Sequence, residues 1–387
     1  MTSSANQAKQ AESFLSGQLA AVDVAGIEKE LKGLWKKAAS PGSDAPAPAT
    51  MIRACSFNLI LFSSEANAET EGNDLLDDIL NHHPARGILA IFRPEKPASL
   101  SAWVSARCHT SGSTKQICSE QITVASEGGH IRQLSSVVLP LVLPDLPVFL
   151  WWRHSVIDSE SFKALHNCAR RFILDSGRLD VELSLLKDAA ALITGNRGCL
   201  WVSDLNWRRL TPWFEACADA FDGFPMPTDY LFKIKKISIS HVETASSQLP
   251  AQPVLLCGWL ASRLGWTIDS AALSAKQPSA KFKAKNNDVV LEFIPSASDK
   301  MPPGQILKVV WEFDDKRVLT AQIEQHGELS FIVAKEDNSS VTEATRIERD
   351  LTEAALVGQE VEELGSDRIY EGAMEMVAKL LKIQEKN

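Results

Sequence analysis

The stretch that decides the fold is PLVLPDLPVFLWWR at residues 140–153. Pro144 and Pro147 cannot lie inside a helix, so the first half of this stretch ends a helix and turns through Asp145. Pro147 also favours an extended conformation at Leu146, and the residues after it, VFLWW, are apolar without polar alternation. Such a run is typical of a central strand that is covered on both faces, as in a parallel sheet.

The strand ends with two adjacent tryptophans, Trp151 and Trp152, which could belong to the core, to a cofactor site or to an interface. Neighbouring residues on a strand point to opposite faces, so the two side chains cannot both serve one site. We therefore expect at least one of them to be a core residue. Removing a buried tryptophan costs on the order of 3–5 kcal/mol, which makes it a determinant of the fold first.

Length and composition indicate a globular protein of two domains. The chain has 387 residues, of which 45% are hydrophobic and 23% charged. Its formal charge of -9 argues against a nucleic-acid surface as the main function. No apolar run reaches the roughly 18–20 residues that a membrane helix needs, and the first residues lack a signal-peptide pattern. These features predict a cytoplasmic protein with no membrane partner.

The seven cysteines are dispersed and include no CxxC pair. An odd, scattered set in apolar surroundings is typical of reduced, buried thiols in a cytosolic protein. A redox role for one pair is the alternative. The cysteines are residues 55, 108, 118, 168, 199, 217 and 257.

Three regions follow from the patterns along the chain. Residues 1–50 are predicted to form a helical lead-in and a Pro/Ala linker, and the helix could dock separately on a partner. Residues 51–228 alternate strands and helices, which predicts an α/β domain with a mostly parallel sheet and helices on both faces. Residues 229–387 predict a smaller α+β domain with a terminal amphipathic helix. The acidic part at 341–367 is interpreted as a solvated face, or as a contact for a basic partner.

A search for catalytic motifs finds little. The chain has no P-loop, no GxGxxG after the first strand and no GxSxG. Residues 111–115 are better interpreted as a hairpin loop than as a phosphate loop. His82 and His83 are neighbours at a helix end and point in different directions, so they make a poor pair of metal ligands. Asp204 could be a catalytic acid at a strand end, although a helix N-cap is the favoured interpretation. No cofactor or metal site is predicted.

A second tryptophan-rich motif, VSDLNWRRLTPWFE, occupies residues 202–215. On one continuous helix Trp207 and Trp213 are six residues apart and do not share a stripe well. We therefore expect one of them to be exposed or to lie at a domain boundary, where an interface could use it.

This motif and LPDLPVFLWWR at 143–153 together resemble the glucose-6-phosphate dehydrogenase assembly protein, the OpcA family. Three shorter strings fit the same family, MIRACSFNLILF at 51–62, HPARGILAIF at 83–92 and ICSEQITV at 117–124. LLCGWLASRLGW at 255–266 resembles the start of the family's C-terminal domain. The resemblance is strong over residues 51–266 and weaker afterwards. The family often has arginine where this chain has Phe214, which puts a role for that side chain in doubt.

The resemblance implies a protein without catalysis, metal or cofactor. It implies an assembly factor and allosteric activator that binds glucose-6-phosphate dehydrogenase and so supports NADPH supply through the oxidative pentose phosphate pathway. The alternative is an α/β enzyme or sensor that binds a sugar phosphate or nucleotide. The residues in the family motifs, any of which could contact the partner, are Asp145, Leu146, Pro147, Trp151, Trp152, Asp204, Asn206, Trp207, Arg208 and Trp213.

Overall fold

The computed structural model of the chain describes residues 15–18, 24–39, 50–111, 115–128, 131–154, 157, 160–178, 182–195, 198–222, 226–245, 249–274, 276–326, 329–336, 342–347 and 352–384. The chain forms two compact units. Unit 1 comprises Met1–His154, Asp158–Ile173 and Glu353–Glu363, and unit 2 comprises Ser155–Ile157, Leu174–Thr352 and Leu364–Asn387. These units do not coincide with the predicted ranges 51–228 and 229–387. Whether those ranges fold as independent domains stays a prediction.

The strands and helices alternate along the first half of the chain, and strands dominate the second half. The strands are β1 (Leu15–Gln18), β2 (Thr50–Arg53), β3 (Asn58–Ser63), β4 (Arg86–Arg93), β5 (Ser99–Ser111), β6 (Lys115–Glu127), β7 (Val148–Arg153), β8 (Arg171–Leu174), β9 (Trp201–Asp204), β10 (Ile234–Val242), β11 (Thr267–Ala272), β12 (Ser279–Lys283), β13 (Asp288–Ser296), β14 (Ile306–Phe313), β15 (Val318–His326), β16 (Leu329–Glu336) and β17 (Thr342–Ile347). The helices are α1 (Val24–Ala39), α2 (Ala68–His82), α3 (Ile131–Val138), α4 (Glu160–Leu165), α5 (Glu182–Gly195), α6 (Leu205–Arg209), α7 (Thr211–Asp219), α8 (Ala251–Arg263), α9 (Glu353–Glu362) and α10 (Arg368–Gln384). Short 3-10 helices lie at Leu139–Leu141, His166–Cys168 and Thr228–Phe232.

Unit 1 is built on a mostly parallel sheet with the strand order β1-β5-β6-β4-β3-β7-β8, and β2 pairs with β6. The pairs from β6 through β8 are parallel, whereas β1–β5 and β5–β6 are antiparallel. Every residue of β3 and β7 is buried, which explains their uninterrupted apolar sequences. The predicted α/β class of the N-terminal region is confirmed.

Helices cover both faces of this sheet. On one face Trp152 stacks on Phe62 with ring centroids 4.2 Å apart and meets Phe162 of α4 at 5.6 Å. On the other face Arg153, the next residue of β7, donates to Glu71 of α2 at 2.9 Å. Successive side chains of β7 therefore point to opposite faces of the sheet and pack against helices on both faces.

The lead-in helix α1 is packed on unit 1, so the expectation that it docks separately on a partner is wrong. Glu28 accepts from buried Arg86 at 2.8 Å, and the Trp35 indole donates to buried Glu120 at 2.7 Å. These polar contacts flank an apolar stripe that is also buried. Its residues are Ile27, Leu31 and Leu34.

Unit 2 contains an eight-stranded sheet with the order β11-β12-β13-β10-β14-β15-β16-β17. All neighbouring pairs are antiparallel except β10–β13, which is parallel. Helices α5, α8 and α10 also belong to this unit, which confirms the predicted α+β class of the C-terminal region.

Helices α8 and α10 approach each other closely at Gly258. A Cβ atom at this position would lie 2.7 Å from Val377 Cγ2 and 2.8 Å from the Ala373 carbonyl oxygen. The second of these atoms belongs to backbone and cannot rotate away. Glycine is therefore required for this packing distance.

In the acidic segment 341–367, two carboxylates are neither solvated nor available to a basic partner, and for the other acidic residues both interpretations stay predictions. Glu353 and Glu360 lie on α9, which returns to unit 1. Glu353 pairs with Arg153 at 3.0 Å, and Glu360 pairs with Arg171 at 2.9 Å. Both arginines are buried on the sheet, so these two carboxylates are internal structural groups.

The expectation that all cysteines are reduced is wrong for Cys118, which is disulfide-bonded. Cys108 lies directly opposite Cys118 in the register of β5 and β6. Burial raises the pKa of the Cys217 and Cys257 thiols, which are free. In the part of the chain that the structure describes, every helix is too short or too polar to cross a bilayer.

Candidate functional site

The Pro-Asp-Leu-Pro turn before β7 is clamped by Asn58, the first residue of β3. The Asn58 amide donates to the carbonyl oxygens of Leu143 at 3.0 Å and Leu146 at 3.3 Å, and its oxygen accepts from the Leu143 N–H at 2.8 Å. Asn58 is fully buried, whereas Asp145 and Pro147 are exposed and Leu146 is half-buried. The turn is thus a rigid, accessible feature at the amino end of a central strand.

Both tryptophans of the same motif are core residues. Trp151 and Trp152 are buried on opposite faces of the sheet, each inside one of the two layers described above. Neither ring is accessible to a ligand or a partner. The accessible part of this motif is therefore the turn and not the aromatic pair.

Asp204 ends β9 and caps α6. Its Oδ1 accepts from the backbone N–H of Asn206 at 2.9 Å and from that of Ser176 at 3.0 Å. This geometry is that of a helix N-cap, as the sequence favoured over a catalytic acid.

A polar network surrounds this cap, and within it the second carboxylate oxygen of Asp204, Oδ2, is buried without a hydrogen-bond partner. Arg209 donates to both oxygens of Asp175 at 2.7 and 2.8 Å, and the Asn206 amide donates to the Ser176 hydroxyl at 3.1 Å. Gln252 of α8 donates to the Asn206 carbonyl at 3.0 Å and accepts from a backbone N–H of β14 at 3.2 Å. These hydrogen bonds join β9, α6, α8 and β14.

Burial raises the pKa of Asp204 to about 7, and the nearby Asp175 charge adds to the rise. Hydrogen bonds from Ser176 and Asn206 oppose it. A carboxyl group that titrates near neutral pH can serve as a general acid or base. Asp204 is nevertheless almost completely buried within the network, so it does not face a substrate.

We expected Trp207 or Trp213 to be exposed or to lie at a domain boundary; the exposed alternative is wrong, and the domain boundary stays a prediction. Their exposed fractions are 6% and 4%. The predicted single helix is broken at Leu210, where α6 ends and α7 begins. Trp207 and Trp213 therefore belong to two different helices, and the expected angle between their side chains on one helix does not apply. Both indoles point into the protein interior.

Trp207 has a polar partner as well as aromatic neighbours. Its indole N–H donates to Asp367 Oδ2 at 2.9 Å, and its ring lies 4.4 Å from Phe214 and 5.3 Å from Tyr370. Asp367 in turn accepts from the first backbone N–H groups of α10. Trp207 thus links α6 to the start of α10.

Burial separates the ten motif residues into two classes. Asp145 and Pro147 are exposed, and Leu146 and Arg208 are half-buried. The other six are buried, and the two motifs belong to different units. Only the first four side chains can take part in a contact with a partner without rearrangement.

The carboxyl edge of the first sheet holds residues that the sequence did not single out. Arg153 is surrounded by carboxylates of Glu71 at 2.9 Å, Glu353 at 3.0 Å and Glu65 at 3.6 Å. The Ser64 hydroxyl lies 2.6 Å from His154 Nδ1. The signal in the sequence is the glycine-free string SSEANAE after β3, which puts acids where a phosphate loop would need glycines.

The remaining predicted positions show no convergent chemistry. His82 Nδ1 lies 2.9 Å from the Asp78 carbonyl oxygen, and His83 Nδ1 lies 3.5 Å from Glu362. Burial lowers the pKa of His83. Residues 112–114 lie outside the described residues, so the interpretation of 111–115 as a hairpin loop stays a prediction. Over the described residues, no group of three or more His, Cys, Asp or Glu is placed to hold a metal ion.

Two family models match the chain in consecutive order. The model described as the glucose-6-phosphate dehydrogenase subunit N-terminal domain matches residues 76–191, and the model of the C-terminal domain of the same subunit matches residues 201–374. The two models describe consecutive domains of one family of subunits, and together they cover most of this chain. The chain belongs to the glucose-6-phosphate dehydrogenase subunit family, OpcA.

Relatives named OxPP cycle protein OpcA support this assignment. The Synechocystis sp. protein is 26% identical over 333 residues, which cover 82% of this chain and 68% of the relative. The Synechococcus elongatus protein is 27% identical over 333 residues, with coverage of 82% and 73%. The Nostoc punctiforme protein is 32% identical over 196 residues, with coverage of 50% and 40%.

Solved structures of dehydrogenases are distantly similar. The MviM dehydrogenase of Clostridium difficile has a TM-score of 0.44 and 12% identity, covering 86% of this chain and 99% of that chain. Levoglucosan dehydrogenase in complex with NADH has a TM-score of 0.46 and 10% identity, with coverage of 85% and 97%. At this level of similarity no functional conclusion follows.

Proposed function

We propose that this protein is a non-enzymatic assembly factor and allosteric activator of glucose-6-phosphate dehydrogenase in the cytoplasm. One observation carries the proposal: consecutive parts of the chain match the N-terminal and C-terminal domains of a glucose-6-phosphate dehydrogenase subunit. In this role the protein supports NADPH supply by the oxidative pentose phosphate pathway without converting a metabolite itself.

The charges at the carboxyl edge of the first sheet favour this role over nucleotide or sugar-phosphate binding. Open α/β sheets place ligands at this edge. Here one guanidinium, Arg153, is already held by Glu65, Glu71 and Glu353. The excess of carboxylates would repel a phosphate group, because like charges in a partly buried site are poorly screened.

The Pro-Asp-Leu-Pro turn is the contact that we favour in the first motif. Its two prolines and the Asn58 clamp hold the exposed Asp145 in one conformation, so little entropy would be lost on binding. Arg208 is the corresponding accessible residue of the second motif.

Activation requires a difference in affinity. The protein must bind the active state of the dehydrogenase more tightly than the inactive state. A coupling of about 1–3 kcal/mol is usual, which corresponds to a shift of roughly 5- to 150-fold.

The test is to mix the purified protein with the dehydrogenase from the same organism. We expect co-elution as a larger complex, together with a lower apparent KM or a higher kcat for glucose 6-phosphate. Separate elution with unchanged kinetics would refute the proposal.

The turn is tested by Asp145→Lys, with Glu160→Lys at an exposed position of α4 as the matched control. Reversal at Asp145 should weaken the complex, and reversal at Glu160 should leave it unchanged. If the two variants bind the dehydrogenase with equal affinity, the turn is not part of the contact surface. The proposed activation of the dehydrogenase would be unaffected by that result.

One observation favours the alternative of a sugar-phosphate- or nucleotide-binding enzyme or sensor. Asp204 has a pKa of about 7, as many catalytic carboxyl groups do. A thermal-shift screen with hexose phosphates and nucleotides addresses it. A rise in Tm with one of these ligands would support the alternative, and an unchanged Tm with all of them would count against it.

A further inference from the structure

The eight-stranded sheet of unit 2 has two unlike faces. Along β10, Ile237 and Ile239 are completely buried, whereas Lys236 and Ser240 are half-exposed. Alternate residues of a strand point to opposite faces of the sheet, so these two pairs lie on different faces. We call the face that carries Lys236 and Ser240 the outer face.

The middle of the outer face is flat. Ser238 of β10 lies beside Val310 of β14 in the register, and Val310 lies beside Thr320 of β15. Ser238 is buried, with 8% of its surface exposed, whereas Val310 and Thr320 are half-exposed. These three short side chains form a shallow floor on which a second sheet can pack face to face.

One row of the outer face carries opposite charges side by side. Lys236 lies beside Glu312 of β14 in the register, and its Nζ lies 3.9 Å from the Glu312 carboxylate. Lys236 also lies 2.9 Å from Glu292 of β13. The exposed fractions of these side chains are 35% for Lys236, 40% for Glu292 and 48% for Glu312. Each charge therefore has room for a further partner, since an ammonium group has three donors and a carboxylate about four acceptor sites.

This row is complementary to itself. We consider a twofold axis that lies in the plane of contact, along the strands and midway between β10 and β14. Such an axis places Lys236 of each copy over Glu312 of the other, and Ser238 of each copy over Val310 of the other. Opposite charges then meet in one row and short side chains meet in the next.

The flanking positions contain no like charges under the same axis. Lys308 of one copy lies over Ser240 of the other, and Glu292 lies over Thr320. Each of these charged residues therefore faces an uncharged one. Because like charges placed opposite one another cost several kcal/mol at an interface, their absence from these positions favours the arrangement.

The net charge of this part of the chain also permits self-association. The whole chain has a formal charge of -9, which opposes the approach of a second copy. Residues 229–352, which contain all eight strands, hold fifteen Lys and Arg and sixteen Asp and Glu, a formal charge of -1. The other residues carry the remaining -8. Two copies can thus meet through this sheet with little net repulsion.

The area of the outer face is sufficient for a stable dimer. The eight strands contain five to nine residues each, so the sheet is about 25 Å long and about 38 Å wide, an area of roughly 900 Å². A stable protein complex buries about 800 Å² on each partner.

We propose that two copies of this chain associate through the outer faces of their unit 2 sheets, about a twofold axis between β10 and β14. This inference does not depend on the proposed function, because it concerns the purified protein alone. Sedimentation velocity of the wild type should show a dimer. A monomer at about 100 μM, where a contact of about 800 Å² on each partner is assembled, would overturn the inference.

The first test uses two single charge reversals. Lys236→Glu would place negative charges opposite one another across the axis, and Glu312→Lys would place positive charges there. Each variant alone should dissociate at least about tenfold more readily than the wild type. An equimolar mixture of the two variants should recover the dimer, because every pair across the axis again joins opposite charges.

The matched controls for the reversals are Lys233→Glu and Asp229→Lys. They reverse an exposed ion pair at the 3-10 helix before β10, away from the outer face. Both controls should remain dimers.

The second test places a large side chain on the flat floor. Val310→Arg should convert the dimer to a monomer, because the two sheets could no longer approach there. Ala218→Arg, at an exposed position of α7, is the matched control and should remain a dimer. Circular dichroism melting curves check that all variants are folded.

Each other outcome contradicts the inference in a different way. If the wild type is a dimer and folded Val310→Arg and both reversals stay dimers, the contact lies elsewhere on the chain. If the two reversals dissociate but their mixture stays monomeric, Lys236 and Glu312 do not face each other and the twofold axis is wrong. If the wild type is a monomer and Val310→Arg weakens dehydrogenase binding, the outer face binds the dehydrogenase and not a second copy.

Discussion

Arg171 on β8 and Glu360 on α9 form an ion pair with a distance of 2.9 Å, although 189 residues separate them in the chain. Both side chains are buried within unit 1. Arg171 also donates to the Glu363 carbonyl oxygen at 2.9 Å. This buried pair joins a helix from the last part of the chain to a strand of the first sheet.

Arg171→Met should be strongly destabilising, because it leaves the Glu360 carboxylate buried without its cation. We expect a loss of about 3–5 kcal/mol in the free energy of unfolding, measured by urea denaturation. The double variant Arg171→Met, Glu360→Leu should recover most of this loss. Lys233→Met is the control, because it breaks an exposed ion pair with Asp229 and should barely change the urea concentration at the midpoint of unfolding. A single variant as stable as the wild type would contradict the buried pair.

Asp204→Asn should change the pH dependence of stability. The folded pKa of Asp204 is raised from 3.8 to about 7, so the folded state holds more protons than the unfolded state between these values. The stabilising contribution of Asp204 to the free energy of unfolding is therefore fully present below about pH 4 and is lost as the pH rises through about 7. Asparagine keeps the cap and does not ionise.

The comparison is made by urea denaturation at pH 5 and pH 8. From pH 5 to pH 8, the free energy of unfolding of Asp204→Asn should rise by more than about 1 kcal/mol relative to that of the wild type. Parallel pH profiles for the two proteins would mean that the Asp204 pKa is close to its ordinary value.

Trp207→Ala and Trp213→Ala should each lose about 3–5 kcal/mol of stability, because both indoles are buried. Any loss of dehydrogenase binding should follow the unfolded fraction. Glu215→Ala, at an exposed position of α7, is the control. A Trp variant with wild-type Tm and weakened binding would instead mark that residue as part of the interface.

Gly258→Ala and Gly33→Ala should act in opposite directions. Both glycines lie in helices, where alanine is favoured by about 0.5–1 kcal/mol. A Cβ at Gly33 meets nothing within 4 Å, so its replacement should stabilise the protein. At Gly258 the Cβ would meet the Ala373 carbonyl at 2.8 Å, and the variant should lose about 1–3 kcal/mol. Thermal melting of both variants checks this, and stabilisation at both positions would disprove the close approach of α8 and α10.

Thiol labelling should distinguish three classes of cysteine. Exposed Cys199 should react rapidly in the native protein, whereas Cys217 and Cys257 should react only after unfolding. Cys118 should be labelled only when the protein is both unfolded and treated with a reductant. Mass spectrometry of the labelled peptides gives the order in which the cysteines react. Labelling of Cys118 in unfolded, unreduced protein would contradict the disulfide.

The local patterns predicted the fold class well. The apolar run before Arg153 predicted a central strand buried on both faces, and the Pro-Asp-Leu-Pro string predicted the turn before it. Both depend on backbone restrictions and periodicity within a few residues. The Asp204 cap was also predictable, because a cap is formed by neighbours in the chain.

The burial of the motif residues was not predictable in the same way. The break at Leu210 turned both Trp207 and Trp213 inward, and the spacing argument had assumed one helix. The carboxylates of α9 illustrate the same limit, because their arginine partners lie on distant strands.

By itself, the sequence determined the two classes of domain, the central buried strand and the family, since these depend on composition, periodicity and contiguous motifs. Only the tertiary structure decided that Glu360 meets Arg171, that both tryptophans of the second motif are buried, and which motif side chains stay accessible. The physical reason is that burial and ion pairing depend on which distant segments pack together, and local preferences of the chain do not encode that choice position by position.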